Sequence, residues 1–145
     1  MVRIICIGNR FMRKDAAGPR VYDRLGGMKL PPEIMLIDGG LGGLNLLPFF
    51  DAADKVILVD QVAGPCDAPG VVHLKPSDVA VDETAGYDHT SGLGYLLAVL
   101  PQVCEQRVPE IDIVGVSGDA DDKTIEEAAR LALKLALPAR CQKVV

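Results

Sequence analysis

Apolar and polar positions fall in blocks along the chain, and the period changes from block to block. "VRIICIG" from Val2 and "KVILVDQV" from Lys55 to Val62 are nearly unbroken apolar runs, the pattern of strands buried on both faces. "EIMLID" from Glu33, "GVVHLK" from Gly70 and "EIDIVGV" from Glu110 bring the strand candidates to five. Between them the spacing turns helical. Ala17, Val21 and Leu25 share one face, Pro19 suits a first helical position, and Gly26-Gly27 makes a stop. "GGLGGLNLLPFFDAAD" predicts an apolar helix that Pro48 bends or shortens. "HTSGLGYLLAVLPQV" from His89 places Leu93, Leu96, Leu97 and Leu100 at helical spacing. "DDKTIEEAARLALKLAL" closes the series, with acids in its first turn and a stripe of Ile125, Ala128, Ala129, Ala132 and Leu135.

The order of these elements predicts a three-layer α/β/α sandwich in one domain spanning residues 1–145. The link "AGPCDAP" between the third and fourth strands is too short for a parallel crossover, which takes about a dozen residues or more. The fourth strand is therefore expected to run antiparallel in a five-stranded mixed sheet with helices on both faces.

Composition narrows the partners more than the fold. A net charge of −5, with Lys and Arg scattered, argues against a nucleic-acid backbone or an anionic membrane. Cys6, Cys66, Cys104 and Cys141 form no CxxC pair, so neither a zinc knuckle nor a thioredoxin-type site is expected. They read as reduced thiols. The N-terminal apolar stretch is too short for a signal peptide, and no segment has the length to cross a bilayer, so a cytoplasmic location is expected.

In open α/β sheets ligands collect outside the carboxyl ends of the strands. That rule selects Asn9, Lys14 and Asp15 after the first strand, Asp60 at the end of the third, and Asp88 with His89 before the third helix. Two carboxylates and an imidazole suit a divalent first-row ion with coordination positions left open. Each also has a plain structural role available. Asp15 can accept backbone N–H bonds in its loop, Asp60 can cap a turn, and His89 can cap a helix or face solvent. "GGLGG" from Gly39 lacks the spacing of a dinucleotide or P-loop motif and reads as a tight strand-to-helix turn. His73 reads as a half-exposed sheet residue, and Asp119, Asp121 and Asp122 as a loop and helix-start cluster rather than a calcium loop.

Taken together, "GNRFMRKDAAG", "DGGLGGLNLL", "VILVDQV" and "HTSGLGYLLAVL" resemble the maturation endopeptidases of nickel–iron hydrogenases. The likeness runs to about Leu100 and weakens through "IDIVGV" and the last helix. Gly8, Asn9, Asp15 and Gly18 match that family's first motif, with Phe11 in place of its leucine. The family's metal-contacting acid falls on Asp15, its strand-end aspartate on Asp60 and its histidine on His89.

The resemblance implies an enzyme that removes the C-terminal extension of a hydrogenase large-subunit precursor, its partner, after nickel insertion. Nickel then comes with the precursor, held by its cysteines, and Asp15, Asp60 and His89 reach over to it while Gly39 to Gly43 shape the rim. No organic cofactor is implied. Several positions depart from the pattern: Lys14 stands where an acid is usual, Ala16 replaces a glycine, Asp88 precedes the histidine without the usual nearby serine, and "SGDADDKTIEEA" lacks a proline-containing loop. They leave open a non-catalytic metallochaperone or docking module for the precursor. A small-molecule hydrolase on the same architecture is a further alternative.

Overall fold

A computed structural model describes residues 1–51, 53–62, 69–79, 93–105 and 107–138. Five strands form one sheet: β1 (Val2–Ile7), β2 (Ile34–Gly40), β3 (Lys55–Gln61), β4 (Gly70–Leu74) and β5 (Glu110–Ser117). Three α-helices accompany them: α1 (Ala17–Gly26), α2 (Leu93–Val103) and α3 (Asp122–Ala136). The strand order is β2-β1-β3-β5-β4. β2, β1, β3 and β5 are parallel to their neighbours, and β4 runs antiparallel to β5, from Gly70 opposite Ser117 to Leu74 opposite Ile113.

Alternation along the strands builds two cores. Ile4 and Cys6 of β1, Ile57 and Val59 of β3, and Val114 and Val116 of β5 face α1 and α3. Ile5 and Ile7, Val56 and Leu58, and Ile111 and Ile113 face the other way, toward α2 and the Leu46–Phe50 segment. Both sides of the central strands are buried, which is why those strands read as continuous apolar runs. Each fully buried Ile, Leu or Val contributes roughly 1.5–3 kcal/mol relative to an exposed one. Among the described residues no helix is long and apolar enough to cross a membrane.

Four local details differ from the sequence reading. The second helix is a 3-10 helix, Gly43–Phe49. Its i→i+3 bonds include Asn45 N–H to the Gly42 carbonyl at 2.9 Å, and Pro48 removes a donor that an α-helix would need. β2 runs on through Gly39 and Gly40, with a register shift against β1 after the Cys6–Asp38 pair. α1 begins at Ala17, so Pro19 lies in its first turn but not at its first position. The stripe of α3 ends on Ala136 as the buried residue, with Leu135 only partly buried. Asp121 caps that helix, accepting from the Thr124 N–H at 2.8 Å. Residues 89–92 of the expected third helix lie outside the described residues.

The chain leaves β1 for β2 on one side and returns to β3 on the other. The connection through α1 covers one face and the connection through the 3-10 helix covers the opposite face. Strand order therefore reverses at β1, and a crevice opens beyond the carboxyl ends of β1 and β3.

Candidate functional site

Asp15 and Asp60 stand at this reversal. Asp60 is the sixth residue of β3, paired in register with Gly115 of β5, and is fully buried. It shares the parity of Val56 and Leu58, so it faces the α2 side of the sheet. α2 leads into the parallel strand β5 and so runs against the strands, which brings its Leu93 end to the crevice.

Asp15 comes from the loop after β1. It is 5% exposed although Arg10 to Lys14 before it are all exposed. Backbone packing makes that burial possible. Gly8 has φ +145°, and a Cβ there would lie 2.3 Å from the Asp15 carbonyl oxygen. A Cβ on Gly18 would lie 2.0 Å from the Ile7 carbonyl oxygen, so α1 starts directly against the end of β1. The chain thus closes a tight loop from Gly8 to Gly18 with Asp15 folded inside. Asp15 Oδ2 accepts the Asn9 N–H at 3.0 Å, and Asn9 Oδ1 accepts the Phe11 N–H at 3.0 Å. The loop-bracing role open to Asp15 from sequence is therefore present.

Two arginines fix the shoulders of the loop. Arg10 forms a two-pronged pair with Asp23 of α1 at 2.7 and 3.1 Å and reaches Asp38 of β2 at 4.0 Å. The hydrogen bond from Arg10 holds the Asp23 carboxyl below the usual carboxylate range. Arg13 makes a similar fork onto Asp119, beyond β5, with Nε 3.1 Å from Oδ1. Arg20 then donates to the Ala120 carbonyl at 2.5 Å and to Asp122 at 2.8 Å. The loops after β1 and β5 are clasped together along one rim. Sequence reasoning passed over Arg10 and Arg13. Their signal was three bases within six residues before a buried acid, "RFMRKD".

Lys14 is exposed and forms no ion pair among the described residues. Cys6, under the crevice on β1, is fully buried; burial first, then the charges of Asp38 and Asp23, push its thiol pKa up. Asp38 itself is exposed at the end of β2. Asp88 and His89, the remaining members of the predicted set, lie outside the described residues. Among the described residues no three His, Cys, Asp or Glu side chains gather as a metal site.

A second polar centre sits at the other end of the sheet. Asp112 of β5 is 1% exposed, and its carboxylate receives Lys55 at 3.1 Å, Lys75 at 2.5 Å and His73 Nε2 at 2.6 Å. His73 is half-exposed as the sequence indicated, but Asp112 was unforeseen. A carboxylate inside "EIDIV", on a strand buried on both faces, was the available signal.

Comparison with known proteins adds a family. The family model described as HycI, hydrogenase maturation protease, matches residues 19–141, a range that takes in Asp60 and His89 and begins just after Asp15. The chain is 33% identical over 79 residues to the hydrogenase expression/formation protein HupD of Rhodobacter capsulatus, covering 54% of this chain and 38% of HupD. It therefore spans well under half the length of that curated relative. Two solved structures share the fold. The hydrogenase maturating endopeptidase HybD from E. coli superposes with a TM-score of 0.69 at 23% identity, covering 99% of this chain and 93% of that one. The [NiFe] hydrogenase maturation protease HybD from Thermococcus kodakarensis gives 0.74 at 21% identity, covering 94% and 99%.

Proposed function

This chain belongs to the hydrogenase maturation protease family, and from that premise we propose that it is an endopeptidase that trims the C-terminal extension of a nickel-loaded hydrogenase large-subunit precursor. Nickel enters as part of the substrate. Asp15, Asp60 and His89 are the groups that contact it. Two carboxylates and an imidazole supply oxygen and nitrogen donors for a divalent ion that keeps other ligands of its own. Asp60 is fully buried at the end of β3, and a carboxylate shielded from water attracts an arriving cation more strongly than an exposed one does. Binding strength then depends on the ion being present, so an unloaded precursor is left uncut. The single observation behind this reading is the pairing of Asp15 and Asp60 with β1 and β3, the two strands between which the crevice opens.

The test is intact-mass spectrometry of a nickel-loaded precursor after incubation with the protein. The expected result is loss of one C-terminal peptide, no loss from nickel-free precursor, and a drop of about a hundredfold or more in rate for Asp60→Asn. A wild-type protein that shortens no precursor overturns the proposal. Binding without shortening would favour the docking-module alternative, for which the exposed Lys14 beside Asp15 is the specific feature.

A further inference from the structure

Four apolar side chains stand in solvent beside the crevice. Phe11 is 92% exposed, Met12 57%, Leu41 63% and Leu44 46%. Their loops spring from adjoining strand ends, since the Gly8 N–H donates to the Gly40 carbonyl at 2.9 Å and Ile7 sits opposite Gly40. The core has no use for them. Surface apolar residues scattered singly need no explanation, but a cluster of large ones at the mouth of a site marks an interaction surface.

The geometry shows how this display is held. Asn9 Oδ1 grips the Phe11 N–H, the Met12 N–H reaches the Asn9 carbonyl at 3.1 Å, and Asp15 grips the Asn9 N–H. Arg10 and Arg13 pin the residues on either side of Phe11 and Met12 to Asp23 and Asp119. A loop fixed at both shoulders loses little further freedom when its apolar tip is covered, which favours binding. Charge adds direction. Arg10 and Arg13 are neutralised by these acids, whereas Lys14 presents a cation with no ion pair among the described residues, on a chain whose net charge is −5.

We propose that Phe11 and Met12, continued by Leu41 and Leu44, dock an apolar segment of the precursor protein that carries a carboxylate placed to meet Lys14. This rests on the reading of the chain as a precursor-processing endopeptidase and assigns that enzyme's grip on its substrate to a surface apart from the acids that meet the ion. Aromatic and Met side chains at the centre of such a contact, with a charge at its edge, match the make-up of protein interfaces. The partner is thus recognised twice, by its ion in the crevice and by its surface on the rim.

The experiment measures binding of the nickel-loaded precursor by the full chain, together with its cleavage. The Phe11→Ser, Met12→Ser double variant is expected to raise Kd about tenfold or more, with Tm within about 2 °C of wild type because neither side chain is packed. Lys14→Met raises Kd about threefold and flattens its salt dependence, and Lys14→Arg restores both. Val108→Ser, an exposed apolar residue just ahead of β5 at the far end of the sheet, leaves Kd unchanged. If the wild type trims the precursor and the double variant binds it equally well, the docking surface is refuted while the endopeptidase reading stands. If the wild type neither binds nor trims, the endopeptidase reading fails and the docking proposal fails with it. Sedimentation covers the other occupant: a wild-type dimer that the double variant dissolves would make this face a contact between copies of the chain and overturn the proposal.

Discussion

Replacing Asp112 with Asn separates the charge of the lower polar cluster from its shape, because the amide keeps the volume and one acceptor for His73. In the native protein burial alone pushes this carboxyl up. Hydrogen bonds from Lys75, His73 and Lys55 outweigh burial and hold it at about 2, against an ordinary 3.8. A carboxyl whose folded value is depressed stabilises the fold above its unfolded value, and that contribution drains away as pH falls through the folded value. The interval from 3.8 to about 2 corresponds to about 2 kcal/mol at neutral pH. Asp112→Asn should therefore cost about 2 kcal/mol at pH 7, or about 5 °C in Tm for a domain of this size. Lys75 is half-exposed and returns to water, which keeps the loss below that of a pair buried on both sides. Urea unfolding of both proteins at pH 7, 5, 4 and 3 tests the linkage. The gap between them should hold down to about pH 5 and shrink to roughly half by pH 3. A gap equally wide at pH 3 and pH 7, or a variant within about 0.5 kcal/mol of wild type at pH 7, refutes the assignment. Precursor processing should be unchanged at pH 7, because the cluster lies at the opposite end of the strands from the crevice.

Two further outcomes follow from the upper end of the sheet. Gly18→Ala puts a methyl where the Ile7 carbonyl oxygen is 2.0 Å away, so α1 must shift off β1; about 2 kcal/mol of stability is lost in a melt, and processing falls about a hundredfold as Asp15 moves with the helix. A Gly18→Ala protein with native Tm and rate would show that the close approach carries no constraint. Cys6, fully buried, should resist iodoacetamide at pH 7.5 in the native protein, while the half-buried Cys104, its own thiol pKa raised by burial and by Asp51, is alkylated more slowly than in urea but well ahead of Cys6; peptide mass mapping with and without urea reads both. Ready labelling of native Cys6 would contradict its enclosure.

Much of this architecture was legible from apolar periodicity, and the physical reason differs between elements. Ile4–Ile7 of β1 and Val56–Val59 of β3 are buried on both faces and are all Val, Ile, Leu or Cys, so the signal there is unbroken. The antiparallel β4 followed from the length of one link. The 3-10 helix Gly43–Phe49 was less legible, since apolar spacing over seven residues does not distinguish it from a short α-helix. Asp15 and Asp60 were selected by a rule about strand ends, and the sheet order sets β1 and β3 side by side; His89 has no described position. Asp112 escaped because its partners are Lys55 of β3, His73 of β4 and Lys75 just beyond β4, and cross-strand neighbours are set by register rather than by local sequence.

The enclosure of Cys6 bears on what the crevice can do with an ion. Its thiol is fully buried in the core under α1 and α3, and burial keeps it protonated, so it is closed to an ion at the crevice. Oxygen donors hold borderline metals less firmly than thiolates do. In the proposed reaction Asp15 and Asp60 therefore bring oxygen donors to an ion that the precursor's own ligands keep, and the protease reads that ion in place.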